Sequence, residues 1–189
     1  EHHTVAYEDI SVTGNEMLRV LELPLSGADR GENNVTVAFN DTLKEVRMWG
    51  DEKFRVTGSV SFEGNPALRA VAGFDRMLAV VGDFRVVDND RWESLDAFRG
   101  LQVVAGDLQI LDNDAITDIE MWRLGEVGGD LTVMRNDNLE TLIGLGALGD
   151  VRGDVTIVDN TMLNDCSKET FSSRVVYGRA MSSALCSGR

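Results

Sequence analysis

The apolar positions of this chain recur at a nearly fixed interval, and one asparagine marks each recurrence. It stands at Asn15, Asn40, Asn65, Asn89, Asn113, Asn136 and Asn160, with spacings of 25, 25, 24, 24, 23 and 24 residues. The fifth and third positions before each asparagine are apolar in all seven cases: Ile10/Val12, Val35/Val37, Val60/Phe62, Phe84/Val86, Leu108/Ile110, Leu131/Val133 and Val155/Ile157. Downstream the apolar step lengthens. Three residues on come Leu18, Leu43, Leu68, Trp92, Ile116, Leu139 and Leu163, and six residues on come Leu21, Val46, Val71, Leu95, Ile119, Leu142 and Cys166. Nine residues on, the inner repeats carry Trp49, Phe74, Phe98, Trp122 and Leu145; fifteen on (fourteen for Val127), they carry Val80, Val104, Val127 and Val151.

An apolar-x-apolar pair reads as a short strand with two side chains pointing inward. Such a strand cannot bury its face alone, so a periodic series of them predicts stacked coils whose strands form a parallel sheet. The three-residue step that follows suits a chain bending around a core; a long amphipathic helix would mix steps of three and four. The pattern therefore predicts a mainly β, right-handed β-solenoid of about seven coils, each of 23–25 residues, over 1–165. Glycine precedes most strands, at Gly58, Gly82, Gly106, Gly129 and Gly153. These are expected at tight corners with positive φ. The asparagines are expected inside the coil, where an amide supplies a donor and an acceptor to corner backbone and to its neighbours in a ladder.

These residues resemble a known family. Gly106-Asp-Leu-Gln-Ile-Leu-Asp-Asn-Asp and Gly129-Asp-Leu-Thr-Val-Met-Arg-Asn-Asp-Asn-Leu are similar to the leucine-rich-repeat frame. The step Asn136-Asp-Asn-Leu139 is one residue longer than in the usual repeat and is closer to the receptor L domain, the ligand-binding β-helix of the insulin and epidermal growth factor receptors, also found in bacterial and fungal surface proteins. The resemblance covers about Ile10 to Asp165 and implies recognition of an extracellular ligand. The cysteine-rich modules that flank L domains in animal receptors are absent from this sequence.

A solenoid needs capped ends. The segment 166–189 is expected to be a C-terminal helical cap, with a helix from about Lys168 to Leu185 and a buried stripe of Phe171, Val175, Met181 and Leu185. A Cys166–Cys186 disulfide would clip it, adding about 3 kcal/mol in the chain-entropy model and placing the protein in an oxidising compartment, extracellular or at the cell surface.

Charge narrows the partners. Lys and Arg number 18 against 32 Asp and Glu, a formal net charge of −14. Nucleic acid and anionic lipid are poor partners for such a surface, and no apolar run reaches the roughly 20 residues that span a bilayer. Histidine occurs only as His2 and His3, which leaves no histidine-based triad. Gly144-Leu-Gly-Ala-Leu-Gly149 matches a dinucleotide fingerprint by letter but falls in a coil segment and not in a strand-to-helix turn. The reading is non-enzymatic, with no cofactor and no metal.

Candidate binding residues are the outward strand positions. The first outward row holds Ser11, Thr36, Ser61, Arg85, Gln109, Thr132 and Thr156; the second holds Thr13, Ala38, Glu63, Val87, Leu111, Met134 and Val158. The run Val87, Leu111, Met134, Val158 is apolar where water is expected, which points to a partner site or self-association. Arg85, Asp88, Gln109, Asp112, Thr132 and Arg135 surround it. The expected function is recognition of a protein or carbohydrate ligand through this face. The alternative is a self-associating structural or adhesive element of a cell envelope.

Two aspartate rows flank the strands: Asp83, Asp107, Asp130 and Asp154 before them, and Asp88, Asp112 and Asp159 after, interrupted by Arg135. Stacked carboxylates invite calcium, but aspartate before a strand commonly fixes a turn by bonding backbone, and that reading is preferred. Trp49, Trp92 and Trp122 sit in the repeat frame and are expected in the core; tryptophans that stack on sugars would have to break it. Of the glycosylation sequons at Asn34 and Asn40, only Asn34 is expected to point outward.

Overall fold

In a computed structural model, the described residues are 9–24, 34–50, 53–163 and 176–177, with backbone only at 24, 176 and 177. Three parallel sheets form the sides of a β-solenoid. The first stacks seven strands in chain order: β1 (Ile10–Thr13), β3 (Val35–Ala38), β6 (Val60–Glu63), β9 (Phe84–Val87), β11 (Leu108–Leu111), β13 (Leu131–Met134) and β15 (Val155–Val158). Their registers are unshifted, so Val60 pairs Phe84, Phe84 pairs Leu108 and Leu108 pairs Leu131. The repeat positions of the sequence are thus neighbouring rungs, roughly 4.8 Å apart.

The second side is a sheet only in the first three coils, where β2 (Val20–Pro24), β4 (Glu45–Trp49) and β7 (Ala70–Ala72) pair. It continues through single bridges, Ser94 to Asp118 and Asp118 to Thr141. In the fourth and sixth coils this side tightens into one-turn 3-10 segments, Asp96–Phe98 and Ile143–Leu145. The third side comprises β5 (Phe54–Val56), β8 (Met77–Val80), β10 (Val103–Val104), β12 (Glu126–Val127), β14 (Asp150–Val151) and β16 (Val176–Tyr177).

The core is a continuous apolar column from Leu23 to Leu163. Its aromatic knot is Phe62, Phe74, Phe84, Trp92 and Phe98, whose rings meet at centroid distances of 4.8–6.0 Å, mostly edge to face. That geometry matches the quadrupoles of the rings.

Two ladders hold the coils together. In the first, each asparagine accepts from its predecessor twice. Oδ1 of Asn65 takes the backbone N–H of Asn40 at 3.2 Å and its Nδ2 at 3.1 Å, and the pattern repeats to Asn160. Nδ2 also donates to carbonyls on its own coil and on the preceding one, as Asn113 does to Leu111 and Val86. From Asn40 to Asn160 the ladder is buried; Asn15, on the first coil, is exposed.

The second ladder runs the other way. The backbone N–H of Asp107 donates to Asp83 Oδ1, that of Asp130 to Asp107 Oδ1 and that of Asp154 to Asp130 Oδ1, at 2.7–2.9 Å. It begins at Asp9 and passes through Asn34 and Ser59. The aspartates before the strands are therefore backbone acceptors, reaching the next coil and not their own turn. Both ends of the Asn34 side chain belong to this ladder, since its Nδ2 donates to Asp9 at 3.0 Å.

Three expectations need correction. Positive φ falls not on the glycines before the strands but on the residue before each ladder asparagine: Gly14, Phe39, Gly64, Asp88, Asp112, Arg135 and Asp159, at 54–69°. The chain turns sharply there, and Asp tolerates that conformation better than most residues. Glycine precedes the strands because there is no room for a Cβ. One on Gly129 would lie 2.1 Å from Asp107 Oδ1, and one on Gly153 would lie 2.1 Å from Asp130 Oδ1.

The C-terminal helix is the second. Within its expected range the described residues, Val176 and Tyr177, form a strand paired to Asp150 and Val151. β-Branched and aromatic residues favour the extended chain, and the rung extends the third side. The rest of that range, with Cys166 and Cys186, lies outside the described residues, as do His2 and His3.

Third, Trp49 and Trp122 are not core residues. They are 56% and 44% exposed, against 1% for Trp92. Met48 and Met121 take the inward place instead. In β4 the inward residues alternate, Val46 then Met48, so Trp49 faces out. Coil five lacks the 3-10 turn that rotates Phe98 and Leu145 inward, and there Ile119 and Met121 are the buried pair.

Candidate functional site

The strand registers settle which surface residues are neighbours. Val87, Leu111, Met134 and Val158 pair in sequence across β9, β11, β13 and β15, as do Arg85, Gln109, Thr132 and Thr156 beside them. All eight are half-buried. The four apolar side chains thus form one straight row up the first sheet. It stops below Val87, where Glu63 holds the equivalent place. Phe39, 57% exposed, leans over Gly64 on that same rung, since a Cβ on Gly64 would come 2.7 Å from its ring.

Next to the apolar row runs the left-handed corner row, Asp88, Asp112, Arg135 and Asp159. Arg135 reaches back one rung to Asp112 through two hydrogen bonds, Nε to Oδ1 at 2.5 Å and Nη2 to Oδ2 at 2.7 Å. This pair holds the Asp112 carboxyl below the usual aspartate range, chiefly through the hydrogen bond from Arg135. Beyond it an open groove is lined by Asp90, Asp114, Asp137 and Thr161 along with the corner aspartates. Burial and the charges of Asp88, Asp114 and Asp112 push the Asp90 carboxyl up. One arginine therefore answers six carboxylates along this strip.

The structure thus brings Arg85, Val87, Asp88, Gln109, Leu111, Asp112, Thr132, Met134 and Arg135 onto three adjoining rungs. The ladder asparagines lie behind them, inside the coil. Among the described residues no three His, Cys, Asp or Glu side chains are grouped to hold a metal ion, and no helix is long and apolar enough to cross a membrane. The first glycine of the fingerprint-like stretch has a packing reason: a Cβ on Gly144 would lie 1.8 Å from the Ile119 carbonyl oxygen, whereas one on Gly149 would meet nothing within 4 Å.

A second surface escaped the repeat pattern. On the side carrying the second sheet, a groove of about 590 Å³ is lined by Ala72, Gly73 and Gly100 together with Asp75, Arg99 and Arg123. Glu120 accepts hydrogen bonds from Arg99 and Ser94, which hold its carboxyl below the usual range. The signal in the sequence was Met48-Trp49 and Met121-Trp122, two adjacent apolar residues where a coil has room for one.

Comparison of the chain with family models, with curated proteins and with solved structures gives no match.

Proposed function

We propose that the chain is a non-enzymatic recognition module, extracellular or at the cell surface, that binds a protein or glycan ligand through the face of its seven-stranded sheet. The observation that carries this reading is the unbroken apolar row Val87, Leu111, Met134 and Val158, set between a polar row and a charged one. The rungs of Val87, Leu111 and Met134 are hydrogen-bonded on both sides and present such a row with little conformational freedom left to lose on binding. The site centres on Val87, Leu111 and Met134, with Arg85, Asp88, Asp112 and Arg135 at its rim. The acidic strip favours a partner carrying positive charge, whose association slows as salt rises. The location outside the cell rests on the resemblance to the receptor L domain.

A screen of wild type against Leu111→Glu/Met134→Glu, on protein and glycan arrays, tests the site. Ligands lost in the double variant, with its urea midpoint unchanged, support it; ligands retained overturn it. A self-associating envelope element is the second reading. Two copies packed face to face would bring like-charged strips together, which favours a different partner. Light scattering that shows concentration-dependent assembly, abolished by the same double variant, would reverse that preference.

A further inference from the structure

We infer that the groove on the second side is a binding site for a neutral oligosaccharide, separate from the sheet face. Trp49 and Trp122 occupy equivalent places in coils two and five, three rungs or about 14 Å apart along the axis. Both indoles are exposed at positions where the repeat would bury them. The groove lies in the coils between. At one end Gly73 sits against the Met48 carbonyl, so close that a Cβ would lie 1.9 Å from it, and Met48 is the chain neighbour of Trp49. At the other end Arg123, the chain neighbour of Trp122, lines the groove beside Arg99, which Glu120 holds by hydrogen bonds.

The chemistry of this surface favours sugar over other ligands. An exposed indole offers a rigid apolar face that loses little entropy on stacking against the C–H face of a pyranose. In the coils between those two tryptophans the groove is lined by Ala72, Gly73, Ala97 and Gly100, small residues that leave room for a sugar ring, and a Cβ on Gly100 would meet the Asp75 carbonyl at 1.8 Å. Around these stand hydrogen-bonding groups of both kinds. Asp75 accepts and Arg123 donates, and neither is paired to an opposite charge among the described residues. Hydroxyl pairs satisfy such groups singly, whereas a flat protein surface would bury them unpaired at a cost. The formal charge of −14 disfavours sulfated or uronic glycans, so the ligand class is neutral.

The test is a tryptophan fluorescence titration with neutral oligosaccharides of glucose, mannose and N-acetylglucosamine, each taken to millimolar concentration, with a sulfated oligosaccharide as comparison. Trp92 is buried, so a ligand-dependent change reports on Trp49 and Trp122. We expect saturable binding of at least one neutral sugar. Trp122→Ala and Arg123→Ala should each weaken it about tenfold or more, and Trp49→Ala/Trp122→Ala should abolish it in calorimetry while the urea midpoint stays near wild type. Leu111→Glu/Met134→Glu should leave it unchanged, which separates this site from the sheet face. Four results overturn the inference: saturation by none of the neutral sugars, binding of the sulfated one alone, an unchanged Kd in the double tryptophan variant, or loss of sugar binding in the sheet-face variant.

Discussion

Oδ1 of Asn113 accepts two hydrogen bonds from Asn89, one from its backbone N–H at 3.1 Å and one from its Nδ2 at 3.3 Å. Asn113 Nδ2 in turn donates to Val86, Leu111 and Asn136. One side chain therefore serves three coils. Asn113→Leu would leave the buried Asn89 backbone N–H without its acceptor, at about 1–3 kcal/mol, and would strip one hydrogen bond each from Asn89 Nδ2, Val86 and Leu111, while setting a branched apolar side chain in the amide column. We expect a loss of at least about 3 kcal/mol in urea melts. Asp112→Asn removes only an exposed pair with Arg135 and keeps a residue suited to the left-handed corner, so its loss should stay below about 1 kcal/mol. Equal midpoints for the two variants would sink the ladder account.

Steric room separates two glycines of the sixth coil. Gly129→Ala sets a methyl 2.1 Å from Asp107 Oδ1 and 2.9 Å from backbone carbon of Gly106. The backbone has to shift, and a loss above about 2 kcal/mol is expected in thermal or urea melts. Nothing lies within 4 Å of a Cβ on Gly149. Gly149→Ala should change stability by no more than about 0.5 kcal/mol, with a small gain from the stiffer unfolded chain.

The tryptophans should divide the same way. Trp92 packs on Phe62 at 5.3 Å and on Phe98 at 6.0 Å, fully buried. Trp92→Ala is expected to cost about 3–5 kcal/mol. Trp49→Ala and Trp122→Ala should each cost about 1 kcal/mol or less. A destabilised Trp122→Ala protein, measured by its denaturation midpoint, would mean that its ring supports the fold.

Acid should act on these carboxyls in opposite directions. Asp112 and Glu120 are held low by Arg135 and Arg99. Each binds fewer protons folded than unfolded, so its stabilisation is full above the ordinary carboxylate range and disappears as pH falls through the lowered value. Asp118 is pushed up by burial, despite the N–H groups of Gly144 and Ile119 that favour its anion. Its cost to stability appears as pH rises from the ordinary aspartate value through the raised one and is full at neutral pH. Asp118→Asn keeps an acceptor for Gly144 and removes that cost. The variant should exceed wild type in urea midpoint at pH 7, with the gap closing toward pH 3. A gap independent of pH would show that ionisation of Asp118 has no part in it.

The rungs were legible because each carries the same demands: two inward side chains, one buried amide, one spacing. The sheet-face row followed directly from that register. What stayed hidden depends on bends smaller than the repeat. Trp49 and Met48 are both apolar, and the local bend decides which faces inward: an alternating strand buries Met48, whereas the 3-10 turns at Phe98 and Leu145, or the left-handed Gly73 before Phe74, bury the following position. The glycines before the strands show their position but not their cause, since a missing side chain looks the same whether φ or a neighbouring carboxylate requires it. The role of Asp107 and Asp130 was half visible: their preference for backbone N–H is general, but its target on the next coil exists only in the stack.

The two ladders point in opposite directions along the axis, the amides donating forward and the backbone N–H groups donating back to the carboxylates. An interior coil is therefore latched to both neighbours and cannot slide out alone. Under tension the molecule should come apart like a zip, from a terminus inward. Each released coil of 23–25 residues would add roughly 80 Å of contour length, a sawtooth that single-molecule pulling would record.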